Sequence, residues 1–353
     1  MTILVWCSWI AESGGMERVA VSLANGLSNR GHRVVLVGPY SNAPNLRYAI
    51  AAGVRYINYL PRRSVKGLLD TRAFLKNLVQ ELRVDLISAH GSVFPLLGLP
   101  VPVVWTEHGL RYGNHPMLSG VRGLAWRLVR RELQQGRWHL VTVSRFVMQR
   151  VREELSLSKT IGSVIYNGIP GAQSLRILAA PKLQPPYQLG YLGRLEPEKR
   201  PTEVFDLAAL LHGMGVPCHW HIFGKGSLLD EMEARRRLCP CKVEMHGNVP
   251  RLREVFEAID LLFVPSRAEG LPTVVLEARL AGRWVAGWHS TGIPEAAGPD
   301  GILVEPSGGL LAMAEAISVV LRSGKRPPPI PEGQFDFEQM VQSYDELLQQ
   351  RAA

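Results

Sequence analysis

The sequence has few cysteines, and their spacing marks neither a disulfide framework nor paired zinc knuckles. The four are Cys7, Cys218, Cys239 and Cys241, so reduced thiols are expected. No apolar run approaches the roughly 20 residues that cross a bilayer. The first residues also lack the basic start and the small-residue cleavage site of a signal peptide. We therefore expect a soluble, cytoplasmic protein.

Two ligand-binding motifs are absent as well. No G-x-G-x-x-G follows the first predicted strand, which argues against a nicotinamide dinucleotide. No Asp-x-Asp occurs anywhere, so the usual carboxylate pair that holds a divalent ion on a diphosphate is missing. We therefore predict neither a metal ion nor a resident cofactor at the active centre.

Positive charge is concentrated in the first half of the chain. The net charge is +9; residues 1–180 carry 22 Lys/Arg against 9 Asp/Glu, and residues 181–353 carry 18 against 22. This split indicates either an anionic partner for the first half, such as a phospholipid surface or a phosphorylated acceptor, or an arginine-rich solvated surface. Nucleic acid is not predicted, because no nucleic-acid motif accompanies the charge.

Short apolar runs alternate with amphipathic segments along the whole chain, which predicts parallel sheets covered by helices on both faces. The predicted strands of the first half are Ile3–Cys7, Arg33–Val37, Leu86–His90, Val103–Thr106, Leu140–Val143 and Ser163–Ile165. Those of the second half are Gln188–Leu192, His219–Phe223, Lys242–His246, Leu261–Val264 and Arg283–Ala286. Met16–Arg30 has the clearest helical spacing, and a helix start is predicted near Asp336.

The length of 353 residues accommodates two α/β domains, each large enough for its own core. We place a Rossmann-like domain over 1–172 and a second one over 187–330. A C-terminal helix over 336–351 is expected to cross back to the first domain.

The segment Pro265–Ala278 carries the strongest indication of a ligand site. Pro272 suits the first position of a helix, which would leave the amides of Thr273, Val274 and Val275 free to bind an anion such as a diphosphate. Glu269 would precede this helix, and Glu277 would lie one turn inside it. Both can then face one ligand at the carboxyl edge of the sheet.

These residues, together with seven further segments in the same order, resemble the retaining GT-B glycosyltransferases of glycosyltransferase family 4. The segments are Gly14-Gly15-Met16-Glu17-Arg18, Thr106-Glu107-His108, Val143-Ser144, Asn167-Gly168, Gly193-Arg194 with Lys199, Phe223-Gly224-Lys225-Gly226 and Gly292-Ile293-Pro294-Glu295. The resemblance covers nearly the whole chain. It implies two doubly wound Rossmann-like domains that face each other across a cleft, with the nucleotide sugar on the second and the acceptor on the first.

The resemblance also assigns roles to individual residues. It implies that Glu277 holds the nucleotide ribose, that Glu269 and His108 lie by the donor sugar, and that Arg194 and Lys199 neutralise the diphosphate leaving group. The other predicted donor-binding residues are Gly14, Gly15, Gly224, Gly226, Gly270, Leu271 and Thr273. The sequence departs from the pattern at Thr291, where many members have glycine.

The expected co-substrate is a nucleotide-diphosphate sugar, with a UDP-sugar as first choice. The expected acceptor is a glycan or glycolipid of bacterial surface polysaccharide or lipopolysaccharide assembly. A non-enzymatic nucleotide-sugar-binding subunit and a GT-B phosphorylase or epimerase are the alternatives.

Two further features suggest surface or metal contacts. Segment 60–82 is the better candidate for peripheral contact with an anionic membrane at the inner face of the cell membrane, whereas 121–131 is expected to pack in the core. A loose cluster gives a zinc hypothesis, although its spacing fits no standard site. Its members are Cys218, His219, His221, Cys239, Cys241 and His246.

Overall fold

Two parallel β-sheets, each with its own helices, divide the chain into two units. The first unit comprises Met1–Pro170 and Phe335–Ala353, and the second comprises Gly171–Gln334. The computed structural model describes residues 1–8, 15–39, 50–62, 64–109, 120–178, 183–249, 251–328 and 330–353. No helix in these ranges is long and apolar enough to cross a membrane.

In the described part of the chain, the first sheet has seven parallel strands in the order β3-β2-β1-β4-β5-β6-β7. The strands are β1 Thr2–Cys7, β2 Arg33–Gly38, β3 Val54–Asn58, β4 Leu86–His90, β5 Val103–Glu107, β6 Trp138–Thr142 and β7 Ser163–Val164. The central strands are apolar along their length because helices cover both faces of such a sheet. The strand order reverses between β1 and β4, where Cys7 pairs with His90. Ligands of doubly wound sheets bind beyond the carboxyl ends of strands at such a reversal.

Five helices of the first unit lie within the described residues. They are α1 Gly15–Asn29, α2 Val65–Leu82, α3 Gly120–Gln134, α4 Arg145–Leu155 and α12 Phe337–Ala352. Serine side chains cap two of them, since Ser64 accepts from the Gly67 amide and Ser144 from the Val147 amide.

Helix α12 returns to complete the core of the first unit. A Cβ on Gly26 of α1 would lie 2.6 Å from a methyl group of Val341, so the glycine lets the two helices approach closely. The hydroxyl of Tyr344 lies 3.1 Å from that of Thr106 in the buried interior. Gly168 likewise lets its backbone approach the start of α12 closely, because a Cβ on Gly168 would lie 2.5 Å from the Asp336 carbonyl oxygen.

The second sheet, over the residues that the structure describes, has six parallel strands in the order β10-β9-β8-β11-β12-β13. The strands are β8 Tyr187–Leu192, β9 Cys218–Phe223, β10 Lys242–Gly247, β11 Leu261–Val264, β12 Trp284–Trp288 and β13 Ile302–Val304. Its order reverses between β8 and β11, whose registers join Leu189 to Leu261. The loops that follow these two strands are therefore adjacent at the carboxyl edge.

The helices of the second unit are α5 Ala172–Arg176, α6 Glu203–Gly213, α7 Leu229–Leu238, α8 Leu252–Glu257, α9 Thr273–Leu280, α10 Ile293–Ala297 and α11 Gly309–Ser323. One apolar cluster fills the space between the sheet and the helices α6 and α11, with Trp220 and Phe263 packed edge to face at its centre. Each unit thus has its own core.

The predicted α/β fold of two doubly wound, parallel sheets is confirmed. Several element bounds were wrong by one or two residues: the first helix begins at Gly15 and ends at Asn29, and β12 begins at Trp284. Strands β3 and β13 were not predicted. The predicted core packing of 121–131 holds for Trp126, which is buried against Phe94 and Trp105.

Candidate active site

Helix α9 begins one residue later than the sequence suggested. Pro272 is the N-cap, with φ −68° and ψ 112°, and Thr273 is the first helical residue. The Val275 amide donates to the Pro272 carbonyl, 3.0 Å away, so the prediction that it is free was wrong. The first amides of a helix lack acceptors within the helix. Those of Thr273 and Val274 are left to point beyond the start of α9, where an anion is stabilised.

Glu277 lies one turn into α9, as the sequence predicted. Thr273 and Glu277 are four positions apart, so they share one face of the helix. The Glu277 side chain is fully buried. It therefore lies inside the unit, one turn along α9 from the amides at the start of the helix.

The structure brings Lys199 and Glu269 together, although 70 positions separate them. The Lys199 Nζ donates to Glu269 Oε1 over 2.6 Å, and the two side chains are only 22% and 13% exposed. Lys199 lies in the loop after β8 and Glu269 in the loop after β11. The ion pair therefore joins the two loops at the point where the strand order reverses.

Arg194 lies in the same loop as Lys199 and is held there by its neighbours. Its Nη2 donates to Glu198 Oε1 over 2.7 Å, and its carbonyl accepts from the Tyr191 hydroxyl over 2.7 Å. Burial raises the pKa of Tyr191, and the negative charge of Glu269 adds to that effect. The sequence analysis did not name Tyr191 as a site residue. Its place in β8, just before Gly193-Arg194, is the signal that could have identified it.

Gly224 and Gly226 pack against backbone rather than standing in open space. A Cβ on Gly224, whose φ is +143°, would lie 1.8 Å from the Gly193 carbonyl oxygen. A Cβ on Gly226 would lie 2.3 Å from the Leu195 carbonyl oxygen. These glycines let the loop after β9 support the loop that carries Arg194. Their predicted direct contact with the nucleotide stays a prediction.

The Glu269 backbone is fixed by the segment before α10. Its amide donates to Thr291 Oγ1 over 3.2 Å, and its carbonyl accepts from the Gly292 amide over 2.9 Å. A Cβ on Gly292 would lie 1.8 Å from the Gly270 carbonyl oxygen, so only glycine allows this approach. Thr291 has φ +58°, in the left-handed region that favours glycine. Thr291, which stands where many family members have glycine, supplies the hydroxyl that accepts from the Glu269 amide. Leu271, which follows in the same loop as Glu269, is buried.

In the first unit, His108 follows β5 and pairs with a histidine that the sequence analysis overlooked. His90 Nδ1 and His108 Nε2 lie 2.8 Å apart, and His90 Nε2 lies 3.3 Å from Ser88 Oγ. Burial lowers the pKa of His90 to about 3. Burial also lowers the pKa of His108 well below its usual value, and His90 adds to this. Both rings are therefore neutral at pH 7.

His90 ends β4, so the rule that selected His108 from the end of its strand would also have found it. The loops after β1 and β4 meet beside it, because Ser8 Oγ accepts from the Ser92 amide over 3.0 Å. Gly15 begins α1, whereas Gly14 lies outside the described residues.

The six-residue cysteine and histidine cluster is divided by the sheet. Cys218 and Cys241 have their sulfur atoms 3.7 Å apart beside the apolar core. His221 and His246 lie on the other face, with His221 Nδ1 and His246 Nε2 3.0 Å apart. The predicted single zinc cluster is therefore wrong as a set of six ligands.

Comparison with known proteins agrees with this architecture. The model of Glycosyltransferase Family 4 matches residues 13–172, and that of Glycosyl transferases group 1 matches 186–323. The chain belongs to the GT-B glycosyltransferases of family 4. The enzyme is therefore a transferase.

An uncharacterized glycosyltransferase of Haemophilus influenzae is 23% identical to this glycosyltransferase, over 77% of this chain and 76% of the relative. The GalNAc-alpha-(1->4)-GalNAc-alpha-(1->3)-diNAcBac-PP-undecaprenol alpha-1,4-N-acetyl-D-galactosaminyltransferase of Campylobacter jejuni is also 23% identical, over 76% and 74%.

Two solved structures share the fold across nearly the full length of both chains. Anabaena Alr3699/HepE in complex with UDP has a TM-score of 0.70 at 16% identity, and covers 99% of this chain and 100% of that one. The lipopolysaccharide outer core galactosyltransferase WaaB has a TM-score of 0.74 at 16% identity, with 99% of each chain covered.

Proposed function

We propose that this glycosyltransferase moves a sugar from a nucleotide-diphosphate sugar, with a UDP-sugar as first choice, to a glycan or glycolipid acceptor. The observation that carries the proposal is the convergence of Lys199, Glu269 and the start of α9 at the strand-order reversal of the second sheet. This edge presents cations, free helix amides and carboxylates together. A diphosphate bonded to a sugar and a ribose needs those three kinds of group.

The diphosphate is assigned to the start of α9, Arg194 and Lys199. One ammonium group has three N–H donors, so Lys199 can hold both Glu269 and a phosphate oxygen. Arg194 uses one terminal nitrogen on Glu198 and keeps further N–H donors for the ligand. These charges would stabilise the leaving nucleoside diphosphate as the glycosidic bond breaks, without a metal ion.

The two glutamates are assigned to different parts of the donor. Glu277, buried on the face of α9 that continues from Thr273, would accept hydrogen bonds from the ribose hydroxyls. Glu269, in the loop before the helix, would position the sugar. The family resemblance favours retention at the anomeric carbon, by attack on the same face with assistance from the leaving phosphate.

The relatives support the choice of donor and acceptor. HepE is similar in fold and was solved with UDP, which supports a uridine nucleotide. The Campylobacter relative acts on a glycan linked to undecaprenol diphosphate, and WaaB on the lipopolysaccharide outer core. These two relatives support a role in surface polysaccharide or lipopolysaccharide assembly.

Calorimetry with UDP tests the assignment of the glutamates. Glu277→Ala should weaken UDP binding by about tenfold to a hundredfold, because charge-assisted hydrogen bonds contribute about 1.5–3 kcal/mol. Glu269→Ala should keep the UDP affinity and lower the rate of transfer. Glu315→Ala, which removes an exposed glutamate on α11, is the matched control. Weaker UDP binding in Glu269→Ala with normal binding in Glu277→Ala would reverse the assignment.

A panel of UDP-, GDP-, ADP- and CMP-sugars in a thermal-shift assay would identify the donor, since a ligand of the folded state raises its stability. Proton NMR of the product then reports the anomeric configuration, and inversion would contradict the proposed stereochemistry. Turnover of the nucleotide sugar without any acceptor would favour the epimerase alternative.

Contact with an anionic membrane is assigned to the start of α2. Val65 is 79% exposed, Leu69 is 60% exposed and Leu60, before the helix, is 67% exposed. Lys66 and Arg72 are exposed among them. Apolar side chains beside cations are typical of helices that lie in the bilayer interface.

A further inference from the structure

His221, Glu244 and His246 form a three-ligand group on the edge of the second sheet. Glu244 of β10 pairs in register with His221 of β9, and His246 lies two positions farther along β10. Because side chains alternate along a strand, Glu244 and His246 project to the same face. We propose that this group is a zinc site. The proposal does not depend on the donor, the acceptor or the transfer reaction.

The distances among the three ligand atoms fit one tetrahedral ion. His221 Nδ1 and His246 Nε2 lie 3.0 Å apart, and Glu244 Oε2 lies 3.9 Å and 3.8 Å from them. Two ligand atoms that are each 2.0–2.1 Å from a tetrahedral zinc ion lie about 3.3 Å apart. Shifts of a few tenths of an ångström would bring all three atoms onto one ion. Two histidines and one glutamate are also an established ligand set for zinc with an open fourth position.

A chain of hydrogen bonds fixes the His221 ring in the form that binds a metal. Gln188 Nε2 donates to the Pro186 carbonyl over 2.6 Å, which orients the amide so that its Oε1 faces His221 Nε2 at 2.9 Å. That oxygen can only accept, so Nε2 carries the proton of the neutral ring. The lone pair of Nδ1 then points toward His246. Ligating histidines have their second nitrogen fixed in this way.

Neighbouring side chains also position the other two ligands. The Lys242 Nζ lies 2.5 Å from Glu244 Oε1, which leaves Oε2 to face the two histidines. The Phe223 ring stacks on His246 at 4.5 Å and limits the motion of that ligand.

A bound ion would tie the edge strand β10 to β9. Gly247 follows His246, and its carbonyl accepts from the Gly224 amide over 2.7 Å. The ion would therefore stabilise β10 next to the loop that supports Arg194. The thiols of Cys218 and Cys241, on the opposite face of the sheet, take no part in this site.

Titration calorimetry with zinc chloride tests this on tag-free, EDTA-dialysed full-length protein. One zinc ion should bind per chain and raise the melting temperature. His246→Gln and Glu244→Gln should each weaken binding by at least about 100-fold, since even outer partners of a metal site contribute 10–100-fold. Gln188→Ala, which keeps all three ligands, should weaken it by about 10–100-fold.

His219→Gln is the matched control, because His219 lies on the same strand and face two residues before His221. Its zinc affinity should equal that of the wild type. Cobalt should bind without a sulfur-to-metal charge-transfer band. Absence of zinc binding by the folded wild type, unchanged binding in both ligand variants, equal loss in His219→Gln or a thiolate band with cobalt would each overturn the proposal.

Discussion

The pair formed by the buried His90 and the half-buried His108 should make the first unit sensitive to acid. The His90 side chain is fully buried, and burial lowers its pKa to about 3, against about 6.5 in an unfolded chain. The folded unit therefore excludes a proton that the unfolded chain binds. His108 acts in the same direction, because its pKa is lowered as well.

The sign and size of the effect follow from proton linkage. Above pH 6.5 neither state holds the proton on His90, and the neutral ring carries no penalty. As the pH falls from 6.5 toward 3, the unfolded state gains the proton and the folded state does not. Stability is then lost at about 1.4 kcal/mol per pH unit. Between pH 7 and pH 5, His90 alone should remove about 2 kcal/mol.

Hydrogen exchange at the amides of β4 measures how the stability of the first unit changes with pH. The free energy of opening is compared at pH 7 and pH 5 in the wild type and in His90→Gln, whose amide can still form hydrogen bonds. Carboxylates and more distant histidines titrate in both proteins, so the difference between the two pH dependences reports His90 together with its effect on the pKa of His108. Equal pH dependence, or a His90 ring that titrates near pH 6.5 by NMR, would refute the reasoning.

Three further outcomes are expected. Transfer should proceed in excess EDTA, because Arg194, Lys199 and the start of α9 take the leaving-group charge; complete loss that magnesium or manganese restores would contradict this. The protein should bind anionic vesicles more than neutral ones, with salt weakening the binding and Lys66→Glu reducing it; equal binding to neutral vesicles in high salt would argue against an electrostatic mode. Gly224→Ala should lower the free energy of unfolding by about 1–3 kcal/mol and weaken UDP binding. The control Gly213→Ala should do neither, because a Cβ there meets no atom within 4 Å. Equal effects of the two variants on the melting temperature would refute the packing argument.

The sequence predicted the strands that are continuously apolar, because such runs have few alternative structures. It did not predict β13, which has three residues, or β3, in which exposed Arg55 interrupts the apolar pattern. These strands form because neighbouring strands offer hydrogen-bond partners, and that information is not local.

The sequence named candidate residues for the site but not the contacts among them. The order of segments identified Lys199 and Glu269, yet their ion pair depends on the reversal of strand order. The zinc hypothesis failed as a six-residue set because it ignored alternation along β9, which puts Cys218 and His219 on opposite faces. Glu244 was missed since a glutamate beside a lysine resembles a surface ion pair.

The return of α12 to the first unit has a consequence for biosynthesis. Residues 171–334 are synthesised before the helix that supplies Val341, Tyr344 and Leu348 to the core of the first unit. The unit that begins the chain is therefore the last to be completed. While the nascent chain is still on the ribosome, the surface of α1 around Gly26 stays uncovered. Truncated products that end before Asp336 should therefore expose that apolar surface to chaperones and proteases.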